Sequence, residues 1–394
     1  MKIEQVDFHY LAADEIRDIG DGSQDALLVR VVMDDGSEGW GECEASPLVS
    51  IAAWCCPMSH LACKPLKMSV VGAEINSPAD IFALTEKVRE NSFDLLQADH
   101  TLSGIDIALW DMLGRKRGMP VWKLLGYEKT YPKTAYASQL FGDTPEQTYR
   151  KGVESENAGF RAAKFGWGPF GRGTVEQDVE HVRAAREGLG NEAALMIDAG
   201  TVWKNDVARA AALLPVLKEC RAVWLEEPFT SNAFHAYSEL TERWGRKKLA
   251  GGEGAHNPDM AFTTSLVNIP LGFFTFLLFY TGRIGGISSA WKVAEYARKT
   301  GTVYVNHTFT TQLALSASVQ PFAGMKESAW CEFPVECAEP ARSLTVERIA
   351  PDGNGEIVLP DAPGLGVEIN HDAIKRFGRE VEIRYEGETI WSGK

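Results

Sequence analysis

The sequence predicts an α/β protein: a modified (β/α)8 barrel of the TIM type with an α+β capping domain at its N-terminal end. Three observations predict it. A chain of 394 residues is too long for one compact core and suits a barrel of about 250 residues with a satellite domain. From Lys133 onward, apolar strand-like segments alternate with amphipathic stretches at helical spacing. The first third has another texture, with strands first and helices after them.

In chain order, Ala26–Met33 (ALLVRVVM), the Asp34-Asp35-Gly36 turn and Glu38–Glu42 read as two strands joined by a turn. Ser46–Leu66 is irregular, with Trp54, adjacent Cys55 and Cys56, and Met58, and reads as a loop packed over something. Ser77-Pro78 opens a helix. Ser103–Gly126 is a second helical stretch, with Ile105, Ile107, Ala108, Leu109, Met112 and Leu113 on its apolar face. The barrel strands are expected at Thr134–Leu140, Arg161–Phe165, Ala194–Asp198, Ala222–Glu227, Lys248–Glu253, Phe273–Tyr280, Val303–His307 and Trp330–Val335. Helices are expected at Pro145–Asn157, Val175–Gly188, Val207–Cys220, Asp259–Leu266 and Ser288–Lys299. From about Leu344 the tail returns to mixed strand and turn chemistry. The expected division is residues 1–126 as the capping domain, 127–343 as the barrel, and 344–394 packing back on the N-terminal domain.

Composition excludes several classes of function. With 45% hydrophobic and 24% charged residues the chain reads as an ordinary globular protein. A net charge of −14 argues against nucleic acid and against an anionic membrane surface, both of which want basic patches. An acidic protein that handles anionic substrates must supply local positive charge, from a metal or a buried lysine. The seven cysteines are odd in number and lack zinc-finger spacing, which predicts a reduced, cytoplasmic setting. Met1–Tyr10 carries no signal-peptide pattern. The most apolar run, Gly272–Tyr280, is too short to span a bilayer and reads as a buried strand.

In a (β/α)8 barrel the chemistry gathers at the carboxyl ends of the strands. Read in order, those ends give Lys164, Asp198, Glu226, Glu253, His307 and Glu332. Asp198, Glu226 and Glu253 end consecutive strands at intervals of roughly 27 residues, about one β/α unit, which brings them to one mouth. Three crowded carboxylates repel, and a hard divalent cation such as Mg²⁺, which takes oxygen ligands, resolves the repulsion. Glu226 is preferred to Glu227 because it shares the inward parity of Trp224. Any one of these acids alone reads as a helix cap or a solvated charge; three in succession favour a shared site. Lys164 reads as a cation at the mouth rather than a snorkelling surface lysine. His307 is the natural proton carrier. Glu332 reads either as a protonated donor to an enolate oxygen or as an ion-paired acid. Trp167 and His256 lie just beyond Lys164 and Glu253 and are candidate substrate contacts.

These residues resemble the enolase superfamily, and within it the mandelate racemase and muconate-lactonizing group. The resemblance covers nearly the whole chain. It rests on Gly104-Ile-Asp-Ile-Ala-Leu-Trp-Asp111, Gly118-Met-Pro-Val-Trp-Lys-Leu-Leu-Gly126, Ile197-Asp-Ala-Gly200, Trp224-Leu-Glu-Glu-Pro228, Gly252-Glu253 and Gly282-Arg-Ile-Gly-Gly286. It implies that Asp198, Glu226 and Glu253 bind Mg²⁺. It also implies that loops around Glu15–Ser23 and Ser46–Cys63 close over the barrel and set specificity, and that the chain assembles as a symmetric homo-oligomer. The sequence departs from the family at three points. The usual second lysine of the second strand is Gly166, the usual Asp-X-Asn of the third is Asp198-Ala-Gly200, and the aspartate that usually partners the histidine is Tyr280. Tyr280 would offer His307 its hydroxyl as a weaker hydrogen-bond partner.

The expected activity is abstraction of the proton α to a carboxylate, with Mg²⁺ and Lys164 neutralising the enolate. One clear acid/base group favours dehydration of a small sugar acid to a 2-keto-3-deoxy acid, because the same histidine can take the α-proton and assist loss of the β-hydroxyl. A racemase, epimerase or cycloisomerase using Lys164 and His307 on opposite faces is the alternative. A metal-binding pseudoenzyme is the reading from another class, motivated by Tyr280 and Gly166.

Overall fold

The computed structural model describes residues 1–245, 248–262 and 274–393. Parts of two expected elements lie outside these residues: the end of the helix expected at Asp259–Leu266 and the first residue, Phe273, of the following strand. At the N-terminus β1 (Ile3–Ala12), β2 (Asp25–Met33) and β3 (Glu38–Cys43) form an antiparallel meander in the order β1-β2-β3. The first of these strands was not legible in the sequence, because polar residues interrupt its alternation.

The long helix Ala98–Arg117 lies across β3. The approach is close enough that a Cβ at Gly41 would stand 2.1 Å from the carbonyl oxygen of Gly104. The helix starts earlier than expected and stops at Gly118, whose left-handed φ of 62° closes helices at little cost only for glycine. A short helix, Val121–Leu124, follows. The stretch expected to be an irregular loop contains the helix Pro47–Cys55. Its Ile51, Trp54 and Cys55 are buried together with Ser50 and Ala53, and a helix apolar on most sides shows no amphipathic stripe in sequence.

Eight parallel strands follow: β4 (Lys133–Leu140), β5 (Ala162–Gly166), β6 (Ala194–Asp198), β7 (Ala222–Glu226), β8 (Leu249–Gly251), β9 (Phe274–Tyr280), β10 (Val303–His307) and β11 (Trp330–Pro334). They pair in barrel order from β4 through β10, and β11 pairs with β4. The expected helix Val207–Cys220 is two, Val207–Ala211 and Leu214–Glu219, because Pro215 cannot continue the first and opens the second. Helices Phe234–Trp244 and Gln312–Val319, which the sequence reading missed, complete their units. The strand expected to reach Glu253 stops at Gly251, and Glu253 lies in the turn beyond Gly252, whose φ is 136°.

The ring closes between β10 and β11 without a backbone ladder between them. There the Asn306 side chain replaces the ladder: Oδ1 accepts from Glu332 N at 2.9 Å and Nδ2 donates to Glu332 O at 3.2 Å. Inside the ring, Tyr136, Ala162, Met196, Trp224, Ala250, Leu278 and Val305 form one buried layer. Trp224 meets Tyr136 edge-on at 5.6 Å, so the interior is packed rather than open.

The helix Ala98–Arg117 also locks the capping domain to the barrel. Trp110 Nε1 donates to Ser288 Oγ at 2.9 Å, and Asp106 accepts from Ser288 N at 3.0 Å at the start of the helix Gly286–Thr300. Past the barrel, β12 (Glu356–Ile357) adds to β4, and the hairpin of β13 (Val381–Tyr385) and β14 (Glu388–Gly393) returns to the N-terminal sheet. There Arg379 N donates to Tyr10 O at 2.7 Å and Trp391 packs edge-on against Phe8. Among the described residues no helix is long and apolar enough to cross a membrane.

Candidate active site

Strand parity builds the site. Side chains alternate faces along a strand, so residues two beyond the inner apolar layer point into the barrel mouth. Two beyond Tyr136, Ala162, Met196, Trp224, Leu278 and Val305 stand Ser138, Lys164, Asp198, Glu226, Tyr280 and His307. Trp224 Nε1 donates to Glu226 Oε2 at 3.0 Å, which fixes Glu226 on the inner face. Glu227 turns the other way: its Oε1 accepts from Gly252 N at 2.8 Å.

Two cations sit among four carboxylates. Lys164 Nζ lies 2.9 Å from Glu226 Oε1, 2.9 Å from Glu332 Oε1 and 3.4 Å from Asp198 Oδ2. His307 Nε2 lies 2.5 Å from Glu253 Oε2 and 3.5 Å from Glu226 Oε1. Its Nδ1 lies 2.8 Å from Glu332 Oε2 but off the line of the N–H, so that contact is an ion pair rather than a hydrogen bond. Glu332 also accepts from Ser138 Oγ and from Thr308 N, both at 2.8 Å.

The charges follow from this crowding. Burial works against the charge of Lys164, but Glu226 and Glu332 outweigh it and hold its pKa well above the ordinary lysine value. Burial likewise opposes charge on His307, and Glu332 foremost reverses the effect, so the imidazole is held cationic. For Asp198 and Glu226 burial wins over Lys164, pushing them up to about 6 and about 8. Burial would also raise Glu332, yet His307 and Lys164 hold it below the usual carboxylate range. Glu332 therefore stays ionised and accepts from every partner. Its contacts with Lys164 and His307 are those of an ion-paired acid.

Tyr280 also differs from expectation. Its ring stacks on His307, with centroids 4.2 Å apart and planes 23° from parallel, instead of offering its hydroxyl edge-on. The guanidinium of Arg283 covers the Tyr280 ring at 3.9 Å. The carboxylate facing Nδ1 of His307 comes from Glu332 on β11, not from the β9 position that Tyr280 occupies.

Lys164, Asp198, Glu253, His307 and Glu332 line a cavity of about 380 Å³ that Trp167 and Tyr280 border, with Ile19, Gly20, Asp21 and Gly22 reaching in from the capping domain. Gly20 packs on Trp167 so closely that a Cβ there would lie 3.2 Å from the indole. Trp167 itself has a φ of 54°, a conformation disfavoured for a bulky residue. His256 does not border this cavity. It packs against His100 of the capping domain, with ring centroids 5.4 Å apart and planes tilted at 52°. Of the two capping loops, the first borders this cavity, while Ser46 and Pro47 of the second border a neighbouring one beside Glu42 and Glu44. Sequence reading missed Ser138, Arg283, Asn306 and Thr308. Parity with Tyr136 would have found the first and the Gly282-Arg-Ile-Gly-Gly286 motif the second, whereas the other two carry no local signal.

The donor set suits a divalent ion. Glu226, Glu253 and His307 each offer a ligand atom within 4.8 Å of the other two. Asp198 shares the mouth, with Oδ1 accepting from Gly200 N at 2.8 Å and Oδ2 turned to Lys164. With all four carboxyls ionised, the state a bound cation favours, four negative charges against two cations leave two, which one divalent ion balances. Oxygen donors of this kind suit a hard ion such as Mg²⁺, whereas a set that includes imidazole suits softer metals.

Comparison with known proteins agrees with the fold. Residues 20–126 match the mandelate racemase / muconate lactonizing enzyme N-terminal domain, and residues 148–373 match the enolase C-terminal domain-like family. The chain is 29% identical to the D-galactarolactone cycloisomerase of Agrobacterium fabrum over 89% of this chain and 90% of that one. It is 25% identical to the arabinonate dehydratase of Saccharolobus solfataricus over 70% of this chain and 71% of that one. The crystal structure of a predicted mandelate racemase from Rhodobacter sphaeroides superimposes with a TM-score of 0.93 at 48% identity, covering 100% of this chain and 99% of that chain. The protein belongs to the enolase superfamily, in its mandelate racemase and muconate-lactonizing branch. Members of that superfamily include acid-sugar dehydratases, cycloisomerases and racemases, and they use Mg²⁺.

Proposed function

We propose that the protein removes the proton α to the carboxylate of an acid sugar, with Mg²⁺ held by Asp198, Glu226 and Glu253, and that the net reaction is dehydration to a 2-keto-3-deoxy acid. The observation that carries this reading is the bridge made by Glu332, which faces Lys164 with one oxygen and His307 with the other. The bridge gives the two cations different duties. Lys164, held by three carboxylates, is a fixed positive charge and a poor base, suited to neutralising an enolate. Among the described residues His307 is the one group with imidazole chemistry at the cavity wall; in its neutral form its Nε2 takes the α-proton, the Glu332 charge holds the imidazolium so formed, and the same nitrogen delivers that proton to the departing β-hydroxyl. Tyr280, stacked on the ring, fixes its plane. When bound, magnesium supplies a Lewis acid for the substrate carboxylate as negative charge builds there.

The test is incubation with Mg²⁺ and a panel of aldonic and aldaric acids in heavy water. Dehydration yields the keto-deoxy acid, an inert protein changes nothing, and His307→Asn should abolish turnover. Unchanged turnover in that variant would remove His307 from the mechanism. A second reading is isomerisation by a racemase, epimerase or cycloisomerase. It is favoured by the approach of Lys164 and His307 to the same Glu226 oxygen from strands across the barrel. In the same screen it exchanges the α-proton without loss of water.

A further inference from the structure

We propose that Glu44, reaching in from the capping domain, is a positioning residue for the His307–Glu332 pair and acts through Thr308; the inference rests on the role given to that pair above. Glu44 is buried, and its carboxylate serves barrel loops alone. Oε1 accepts from Thr308 Oγ1 at 2.8 Å and from Thr310 Oγ1 at 3.0 Å, and Oε2 accepts from Gly282 N at 3.1 Å. Its backbone joins the same loops, with Glu44 N donating to Gly282 O at 2.8 Å and Arg283 Nε donating to Glu44 O at 3.2 Å. Among the described residues no cationic side chain pairs with this carboxylate. The cost of burying it is offset by these hydrogen bonds and by the nearby charge of Arg283. The fit is tight: a Cβ at Gly282 would stand 2.6 Å from Glu44 Cγ.

Thr308 faces two ways. Its hydroxyl holds Glu44, and its backbone N donates at 2.8 Å to Glu332 Oε2, the oxygen that also faces His307 Nδ1. Glu44, Thr308, Glu332 and His307 thus form one contiguous chain from the capping sheet to the acid/base group. A capping domain drawn away from the barrel unloads the Thr308 hydroxyl, and the Thr308 amide passes that displacement to Glu332. The His307–Glu332 geometry is then complete only while the capping domain is seated, which couples lid closure to proton transfer.

The experiment uses the full-length protein with Mg²⁺ and compares Thr308→Val, Thr308→Ser and Glu44→Gln. Valine keeps the shape and the amide bond but lacks the hydroxyl, serine restores the hydroxyl, and glutamine, keeping its carbonyl on Gly282 N–H, sets an NH₂ where the Thr308 hydroxyl had donated and so removes both the charge and that donation. Two quantities are read: the imidazole ¹⁵N resonances of His307, assigned with His307→Asn, and steady-state kinetics on an acid that the screen identifies. Thr308→Val and Glu44→Gln should move the His307 resonances and lower kcat by ~10- to 100-fold with KM little changed, and Thr308→Ser should restore both. Wild-type resonances in Thr308→Val, or a serine variant as impaired as valine, overturn the proposal. If Thr308→Val does not fold, the isosteric Glu44→Gln decides by the same readings. If no acid is turned over, the enolate reading fails on its own, and the resonances still decide this one.

Discussion

Replacing Asn306 with leucine should open the barrel seam from inside. Asn306 is fully buried and makes three hydrogen bonds: two with the backbone of Glu332, at 2.9 and 3.2 Å, and one from Nδ2 to Ser318 Oγ at 3.1 Å. Leucine has similar bulk, so the cavity term is small and the loss is polar. The amide and carbonyl of Glu332 and the hydroxyl of Ser318 then lose a partner where water does not reach. Each such group costs about 1–3 kcal/mol. Ser318 Oγ keeps its bond to Leu315 O at 2.8 Å and Glu332 O keeps the weak contact from Cys331 Sγ at 3.4 Å, so the Glu332 amide dominates and the total is about 2–4 kcal/mol. Asn306→Asp separates the components: it still accepts from Glu332 N but sets an oxygen against Glu332 O. The assay is urea denaturation followed by circular dichroism, comparing midpoints and slopes for the wild type and both variants. A leucine variant within ~1 kcal/mol of wild type would refute the argument that a side chain substitutes for the missing ladder.

Asp106 provides a pH test. Burial pushes it up to about 7 against the hydrogen bonds from Ser288 and Thr85, from an ordinary value of 3.8. Between those two values the folded state binds the extra proton, so stability falls as pH rises through the window and is level above it, by about 4 kcal/mol at most. Asp106→Asn should flatten that slope in denaturation midpoints measured at pH 5 and pH 8; an unchanged slope would place the linkage elsewhere. Lys164→Met leaves Glu226, Glu332 and Asp198 without their shared cation, and should retain the fold by circular dichroism while turnover drops by at least ~100-fold. Removing Mg²⁺ with a chelator should stop turnover. Restoring it at ~100 times its dissociation constant should stabilise the fold by about 2.7 kcal/mol, a gain that Asp198→Asn, Glu226→Gln and Glu253→Gln each lose in calorimetry.

Much of the site was legible because strand parity and unit length are local properties. Met196 and Asp198, Trp224 and Glu226, and Val305 and His307 differ by two positions, and alternation sends both members of each pair inward. The departure at Tyr280 was legible too, but its consequence was not. The carboxylate opposite Nδ1 of His307 comes from Glu332, one strand over, and the Tyr280 ring turned flat against the imidazole. His256 was misread for a similar reason. Its nearness to Glu253 in sequence says nothing of direction after the turn at Gly252, which sends it toward His100.

The sequence by itself determined the eight barrel strands, most of the helices between them, the inward parity of the barrel residues, and the six candidate residues at or just beyond the strand ends. Each of those depends on neighbours a few positions away. The tertiary structure alone decided that Asn306 closes the ring, that Glu332 binds both Lys164 and His307, and that Glu44 reaches across the domains to Thr308. Glu44 and Thr308 are 264 positions apart. No local period encodes such a pairing; it exists only once hydrophobic burial has folded the capping sheet onto the barrel and taken these polar atoms out of water.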